Sequence, residues 1–241
     1  MDNIKRICLW SGPRNISTTL MYSFAQRQDT KVFDEPLYAY YLSKTKAKDY
    51  HPGTQNILDS LEQDGEKVIT SMMTNQEKPV LFFKNMTHHL LDLNRKFMKD
   101  VYNVILTRDP VEMLPSFDKV IKNPTLNDVG YAKHSELLNY FEVNNIKFIV
   151  LDSKKVLLNP KKVLSELCEF IDISFEETML HWKAGARIED GIWAKYWYAN
   201  IHKSTGFLEY IPKSEAFPNH LEPLLEESLI HYKELLKYAI G

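Results

Sequence analysis

Five short, mainly apolar, strand-like runs punctuate the chain, and the stretches between them carry the wider spacing of amphipathic helices. The runs are Arg6 to Trp10, Lys31-Val32-Phe33, Val80 to Phe83, Asn103 to Leu106 and Lys147 to Leu151. They are continuous rather than alternating, as strands buried on both faces should be. Separated by helical stretches, they predict an α/β fold of three layers, a central and mainly parallel five-stranded sheet with helices on both faces. Strands two and three are both expected beside strand one, ending at the same edge.

The helices announce themselves by their ends. A first helix is expected from Ser17 to Gln28. Asp109-Pro110-Val111-Glu112 has Asp at the N-cap, Pro at the first helical position and Glu at the third. Behind it Met113, Leu114, Phe117, Val120 and Ile121 form one apolar face, with Pro115 predicted to kink the helix. Pro160 opens another helix, and a last one runs from about Leu221 to Ala239. Residues 184–218 are irregular and aromatic, with Trp193, Tyr196, Trp197 and Tyr198 close together. They read as a cap over the sheet. With no repeat, linker or low-complexity stretch, residues 1–241 are expected to form one domain that includes this cap.

Composition narrows the function classes. Thirty Lys and Arg against 32 Asp and Glu leave a formal charge of −2, which disfavours a nucleic-acid partner. No apolar run approaches the roughly 18 residues of a membrane span, and the residues behind Met1 do not read as a secretory signal. Cys8 and Cys168 stand apart in apolar elements, so neither a disulfide framework nor a zinc site is expected. The expected setting is the cytoplasm.

Candidate chemistry begins after the first strand, where Trp10-Ser11-Gly12-Pro13-Arg14-Asn15-Ile16-Ser17-Thr18-Thr19-Leu20 leads into a helix. Free backbone N–H groups and the positive helix end converge in such a loop and suit a phosphate. Against the nucleoside-triphosphate pattern G-x-x-x-x-G-K-[ST], Ser17 takes the second Gly position, Thr18 the Lys and Thr19 the Ser/Thr. With Arg14 and three hydroxyls in place of the lysine, the loop suits a terminal phosphate or sulfate without bound Mg²⁺. The plain alternative is a strand–turn–helix junction with Ser17 as N-cap.

Gly12 to Leu20 resembles the G-x-P-R-S-G-T-T-L loop of sulfotransferases, with Pro13-Arg14 one position early and Ser17 in place of glycine. The resemblance implies a P-loop-type fold and 3′-phosphoadenosine 5′-phosphosulfate (PAPS) as co-substrate, with no metal. It implies that Gly12, Arg14, Asn15, Ser17, Thr18 and Thr19 hold the 5′-phosphosulfate. Thr107-Arg108-Asp109-Pro110, with Ser116 eight residues after Arg108, resembles the family's grip on the 3′-phosphate. An Arg at a strand end offers a bidentate, charge-assisted fork at the sheet edge where ligands bind. Phe148 to Met179 resembles a further strand–helix stretch of the family. Lys203-Ser204-Thr205-Gly206 resembles the basic loop that closes over the 3′-phosphate, which adds Lys203, Ser204 and Gly206.

Sulfuryl transfer needs a base for the acceptor and positive charge at the leaving phosphate. Lys84, at the end of strand three, is the candidate cation. The family places a His two residues after this Lys, whereas here His88 stands four residues on. Glu35, in Asp34-Glu35-Pro36 at the end of strand two, is the other candidate base and the favoured one. Lys84 and the base are expected to flank the sulfuryl group from opposite sides. The sequence thus points to a PAPS-dependent sulfotransferase acting on a hydroxyl or amine of a small-molecule or carbohydrate acceptor, with the oligomeric state open. The rival readings are a kinase-like phosphotransferase and a non-catalytic nucleotide-binding relative.

Overall fold

The computed structural model describes residues 4–212 and 215–241, so the first three residues and positions 213 and 214 of the expected cap lie outside the description. Five strands form one sheet: β1 (Lys5–Ser11), β2 (Thr30–Asp34), β3 (Val80–Met86), β4 (Tyr102–Thr107) and β5 (Phe148–Asp152). The order is β2-β3-β1-β4-β5 and every pairing is parallel. One expectation fails here. Strand β1 lies between β3 and β4, and β2 pairs with β3 alone. A continuous apolar run records that a strand is buried, not which neighbour it takes.

Successive residues of β1 point to opposite faces and enter different cores. Ile7 and Leu9 pack with Leu20 and Phe24 of the Ser17–Phe24 helix, and with Val163, Leu164 and Leu167 of the Pro160–Ile171 helix. Cys8 and Trp10 pack on the other side with Ile69 and Met72 of the Gly65–Thr74 helix, and with Leu137 and Phe141 of the Tyr131–Val143 helix. Cys8 and Cys168 are free thiols buried in these opposite cores.

The first helix stops at Phe24, four residues short of its expected end, with Ala25 as its C-cap. Asp109 caps the Pro110–Asp118 helix as expected, its Oδ1 accepting from Val111 N at 2.9 Å, and Pro115 sits inside that helix. Within residues 184–218, regular structure is confined to an α-helical turn at Ala194–Trp197 and a 3₁₀ turn at Ile201–Lys203 among the described residues. Trp193, Ala194 and Tyr198 of this segment are buried against Tyr38, Ala39, Tyr41 and Leu42. Among the described residues no helix is long and apolar enough to cross a membrane.

Candidate active site

Parallel pairing brings the C-terminal ends of all five strands to one edge, and the loop after β1 opens there. Arg14 and Ile16 both adopt left-handed backbone angles, with φ of 58° and 60°. Such angles are costly for residues other than glycine, and especially for a β-branched one. The loop is thereby curled into a turn of the kind that makes an anion-binding concavity. Ile16, not Ser17, is the N-cap, and it supplies no side-chain cap. The leading N–H groups of the Ser17–Phe24 helix therefore keep their capacity to donate.

Other contacts hold the loop in place. Asn15 Nδ2 donates to Leu106 O at 3.1 Å, and Ser153 Oγ lies within donating distance of both Asn15 O and Thr107 O, with one proton to share between them. Gly12 is needed for close approach, since a Cβ there would lie 2.8 Å from Val129 O. Arg108 Nη1 donates to Arg14 O at 2.9 Å, while its Nε and Nη2 reach Glu112. Tyr131 OH fixes Arg108 from behind by donating to its carbonyl at 2.7 Å. Arg14 Nε donates to Ser116 Oγ at 3.2 Å. Among the described residues Arg14 has no carboxylate partner, and burial together with Arg108 lowers its pKa. Two guanidiniums thus gather beside three hydroxyls, an arrangement that an anion would relieve.

At the β2–β3 side, register sets Asp34 beside Lys84. Lys84 Nζ lies 2.6 Å from Glu35 Oε1 and 2.7 Å from both Asp34 Oδ1 and Tyr198 OH. Tyr198 OH in turn donates to Asp34, whose Oδ2 also accepts from Gly191 N at 2.9 Å. Lys84 is 1 % exposed and Glu35 6 %, so the group is dry. Burial alone would pull Lys84 down, but Asp34 and Glu35 outweigh it and raise its pKa well above the usual range. Burial raises Glu35 against the opposing pull of Lys84. Base and cation were expected on opposite sides of the reacting group. They are in direct contact instead, because the Asp34–Lys84 register brings the two strand ends together.

His88 and His89 sit in a 3₁₀ turn, Thr87–Leu90, directly after β3. Burial pushes His88 down to about 3 and His51 to about 4, so both rings are neutral at pH 7. His89 stacks between Tyr38 and Tyr41, with centroids 5.0 and 4.4 Å away.

One cavity of about 460 Å³ joins these parts. Its lining includes Arg14, Asn15, Ser17, Thr18 and Thr19 from the first loop, and Arg108 with Ser116 from the second. Glu35, Lys84 and His88 line it too, as do Ser204 and Gly206 from the cap. Two sequence-predicted residues are not among its lining, Gly12 and Lys203. Gly12 works through packing, and Lys203 ends a 3₁₀ turn with an exposed side chain. Ser204 and Gly206 border the cavity with other duties. Ser204 Oγ accepts from Trp182 Nε1, and a Cβ on Gly206 would meet Leu180 O at 2.8 Å. Asp152, at the end of β5, caps the Ser153–Leu158 helix and accepts from Tyr232 OH. Sequence reasoning placed Tyr198 only among the cap aromatics and missed its bonds to Lys84 and Asp34, as it missed the anchoring role of Asp34. Adjacency to Glu35 was the only signal for Asp34.

A family model described as Sulfotransferase domain matches residues 5–237, and the chain belongs to that family. Two Arabidopsis thaliana proteins are similar in sequence. Branched-chain-amino-acid aminotransferase-like protein 2 is 36 % identical over 228 residues, covering 94 % of this chain and 40 % of its own length. Branched-chain-amino-acid aminotransferase-like protein 1 is 37 % identical over 232 residues, covering 95 % and 41 %. The chain therefore spans about two-fifths of the length of these relatives. Among solved structures, the sulfotransferase domain of the Synechococcus PCC 7002 olefin synthase superposes with a TM-score of 0.60 at 17 % identity, over 94 % of this chain and 95 % of that one. The sulfotransferase domain from the curacin biosynthetic pathway gives 0.57 at 15 %, over 98 % and 99 %. At these identities the likeness is one of fold.

Proposed function

We propose that this chain is a cytoplasmic, PAPS-dependent sulfotransferase domain, with residues 184–218 as its cap, acting on a hydroxyl or amine of a small molecule. The observation that carries the reading is the shared cavity, which Arg14, the Ser17–Thr19 hydroxyls, Arg108, Ser116, Lys84 and Glu35 all line. Arg14, which has no carboxylate partner among the described residues, and the left-handed loop fit a phosphosulfate, and Arg108 with Ser116 fits a second phosphate. PAPS, when bound, supplies the sulfuryl group and a phosphate leaving group.

The chain's own part is positioning and proton transfer. Glu35 takes the acceptor proton, helped by a pKa that burial raises toward working pH. Asp34 keeps Lys84 protonated while Glu35 is being neutralised, so that positive charge persists at the reacting edge. The burial of Lys84 and Glu35 limits competition by water at the reacting end. A kinase-like reading is less favoured because Thr18 stands at the loop lysine position.

Thermal-shift measurements with 3′-phosphoadenosine 5′-phosphate and with ATP plus Mg²⁺ test the donor. Stabilisation by the first ligand alone is expected. Stabilisation by ATP–Mg²⁺ alone would favour phosphoryl transfer. Binding of the first without any transfer activity would mark a non-catalytic relative.

A further inference from the structure

Beyond the donor site, the same cavity continues into a region of different chemistry. Tyr38, Tyr41 and Trp197 line it together with His51 and His88. The rings are locked against one another. Tyr38 OH meets His51 Nδ1 at 2.7 Å, and His88 stands edge-on to Tyr41 at 5.0 Å. Both imidazoles are neutral at pH 7, so this box offers π-faces and lone pairs without a positive charge of its own. The Nδ1 atoms of His88 and His89 are buried and lack a hydrogen-bond partner.

Charge in this region is negative. Asp128 lines the cavity beside these rings. Its Oδ1 accepts from Tyr50 OH at 3.0 Å, and its Oδ2 from Thr125 N and Oγ1. Those bonds hold the carboxylate in place, and among the described residues no cation pairs with it. At the inner end, one ammonium, Lys84, faces two carboxylates, Asp34 and Glu35. Both cavity-lining arginines, Arg14 and Arg108, belong to the loop side and contact each other there.

From this juxtaposition we infer that the acceptor is a small alcohol bearing an ammonium group. Its cation sits among the aromatic rings beside Asp128, and its hydroxyl faces Glu35. An ammonium over the faces of Trp and Tyr is held by the ring quadrupoles, and a fixed carboxylate adds to that pull. The inference rests on the sulfotransferase reading for its chemistry. The alcohol oxygen forms the new O–S bond, the S–O bond to the nucleotide's 5′-phosphate breaks, and the proton passes to Glu35. The bland reading of Asp128 is that it only caps the Leu126–Val129 turn, where it completes a capping box with Thr125.

Calorimetric titration of the full chain, with and without 3′-phosphoadenosine 5′-phosphate, separates the possibilities. The probes are choline, ethanolamine and 3,3-dimethylbutan-1-ol, the uncharged carbon isostere of choline. At least one ammonium alcohol is expected to bind roughly tenfold more tightly than the neutral isostere, the size of effect a desolvated cation–π site gives. Asp128→Asn should reduce that preference to within about threefold, on the same scale. Thr125→Ala, which disturbs the cap but keeps the charge, should preserve it. Equal or tighter binding of the isostere, absence of binding by both ammonium alcohols, or equal loss in the two variants would overturn the inference. The nucleotide arm is read separately. Ammonium binding that depends on Asp128 in a protein with no affinity for the nucleotide would uphold the subsite and remove the donor assignment instead.

Discussion

Lys84 Nζ and Glu35 Oε1 stand 2.6 Å apart in a dry pocket, on the ends of neighbouring parallel strands. Asp34 and Tyr198 complete the coordination of the same ammonium. Breaking a buried pair from one side is far more damaging than never having it, because the remaining charge is stranded. Lys84→Met should therefore lower stability by roughly 3–5 kcal/mol. Adding Asp34→Asn and Glu35→Gln to that variant should recover part of the loss, since the carboxylates would no longer lack a cation. Urea unfolding of the single and triple variants measures both effects.

Glu35 and His88 make opposite statements about pH. Burial raises Glu35, so a Glu35 base loses activity as pH falls through a value above the usual carboxylate range. His88 is held down at about 3, so a His88 base would keep its proton-accepting form to near pH 3. The acid limb of kcat/KM is expected above pH 4.5, on the Glu35 side of this divide. A limb near pH 3 that disappears in His88→Ala would transfer the role to the imidazole.

The arginine side of the cavity has its own signature. Arg108→Ala should weaken 3′-phosphoadenosine 5′-phosphate by roughly 10- to 100-fold, the cost of about 1.5–3 kcal/mol for a hydrogen bond to a charged group. Ser116→Ala should cost less, since a neutral hydroxyl contributes about 0.5–1.5 kcal/mol. Titration calorimetry at two salt concentrations checks this, with the Arg108 contribution shrinking as salt rises.

Buried imidazoles also predict acid sensitivity of the fold. Burial holds His51 at about 4 and both His88 and His134 at about 3, all below the unfolded value of about 6.5. Below pH 6.5 the unfolded chain takes up protons that the folded chain refuses, so stability falls as pH drops. The slope approaches about 1.4 kcal/mol per pH unit for each such ring. Glu35 and Asp109, both raised by burial, act in the opposite sense. His134→Phe should flatten the decline between pH 6.5 and 4 in urea melts. An unchanged decline would show that His134 is not among its causes.

Much of the scaffold could be read from the chain because strands buried on both faces have an unmistakable composition. The first four runs became strands longer by two or three residues, the fifth kept its length and moved on by one, and the Asp109-Pro110 signature capped its helix. Neighbour order was less legible. The β2–β3 pairing depends on which helices cross which face, and that is a tertiary choice. The direct Glu35–Lys84 contact was hidden for the same reason, since only the register reveals it. Tyr198 lies in an aperiodic segment where four aromatics in six residues look alike, yet the chain buries Trp193 and Tyr198 and leaves Tyr196 exposed. Lys203 ends a 3₁₀ turn away from the cavity lining, and a basic, glycine-containing loop has the same composition as an ordinary turn.

Single-turnover transfer from ³⁵S-labelled PAPS, run against a panel of small alcohols and amines, tests the account most directly. The account predicts a labelled sulfate ester or sulfamate with the native chain. It predicts a rate lower by about 10²–10⁴ in Glu35→Gln, with nucleotide affinity nearly unchanged. Full transfer activity in Glu35→Gln, or no labelled product from a native chain that binds and hydrolyses ATP–Mg²⁺, would contradict it.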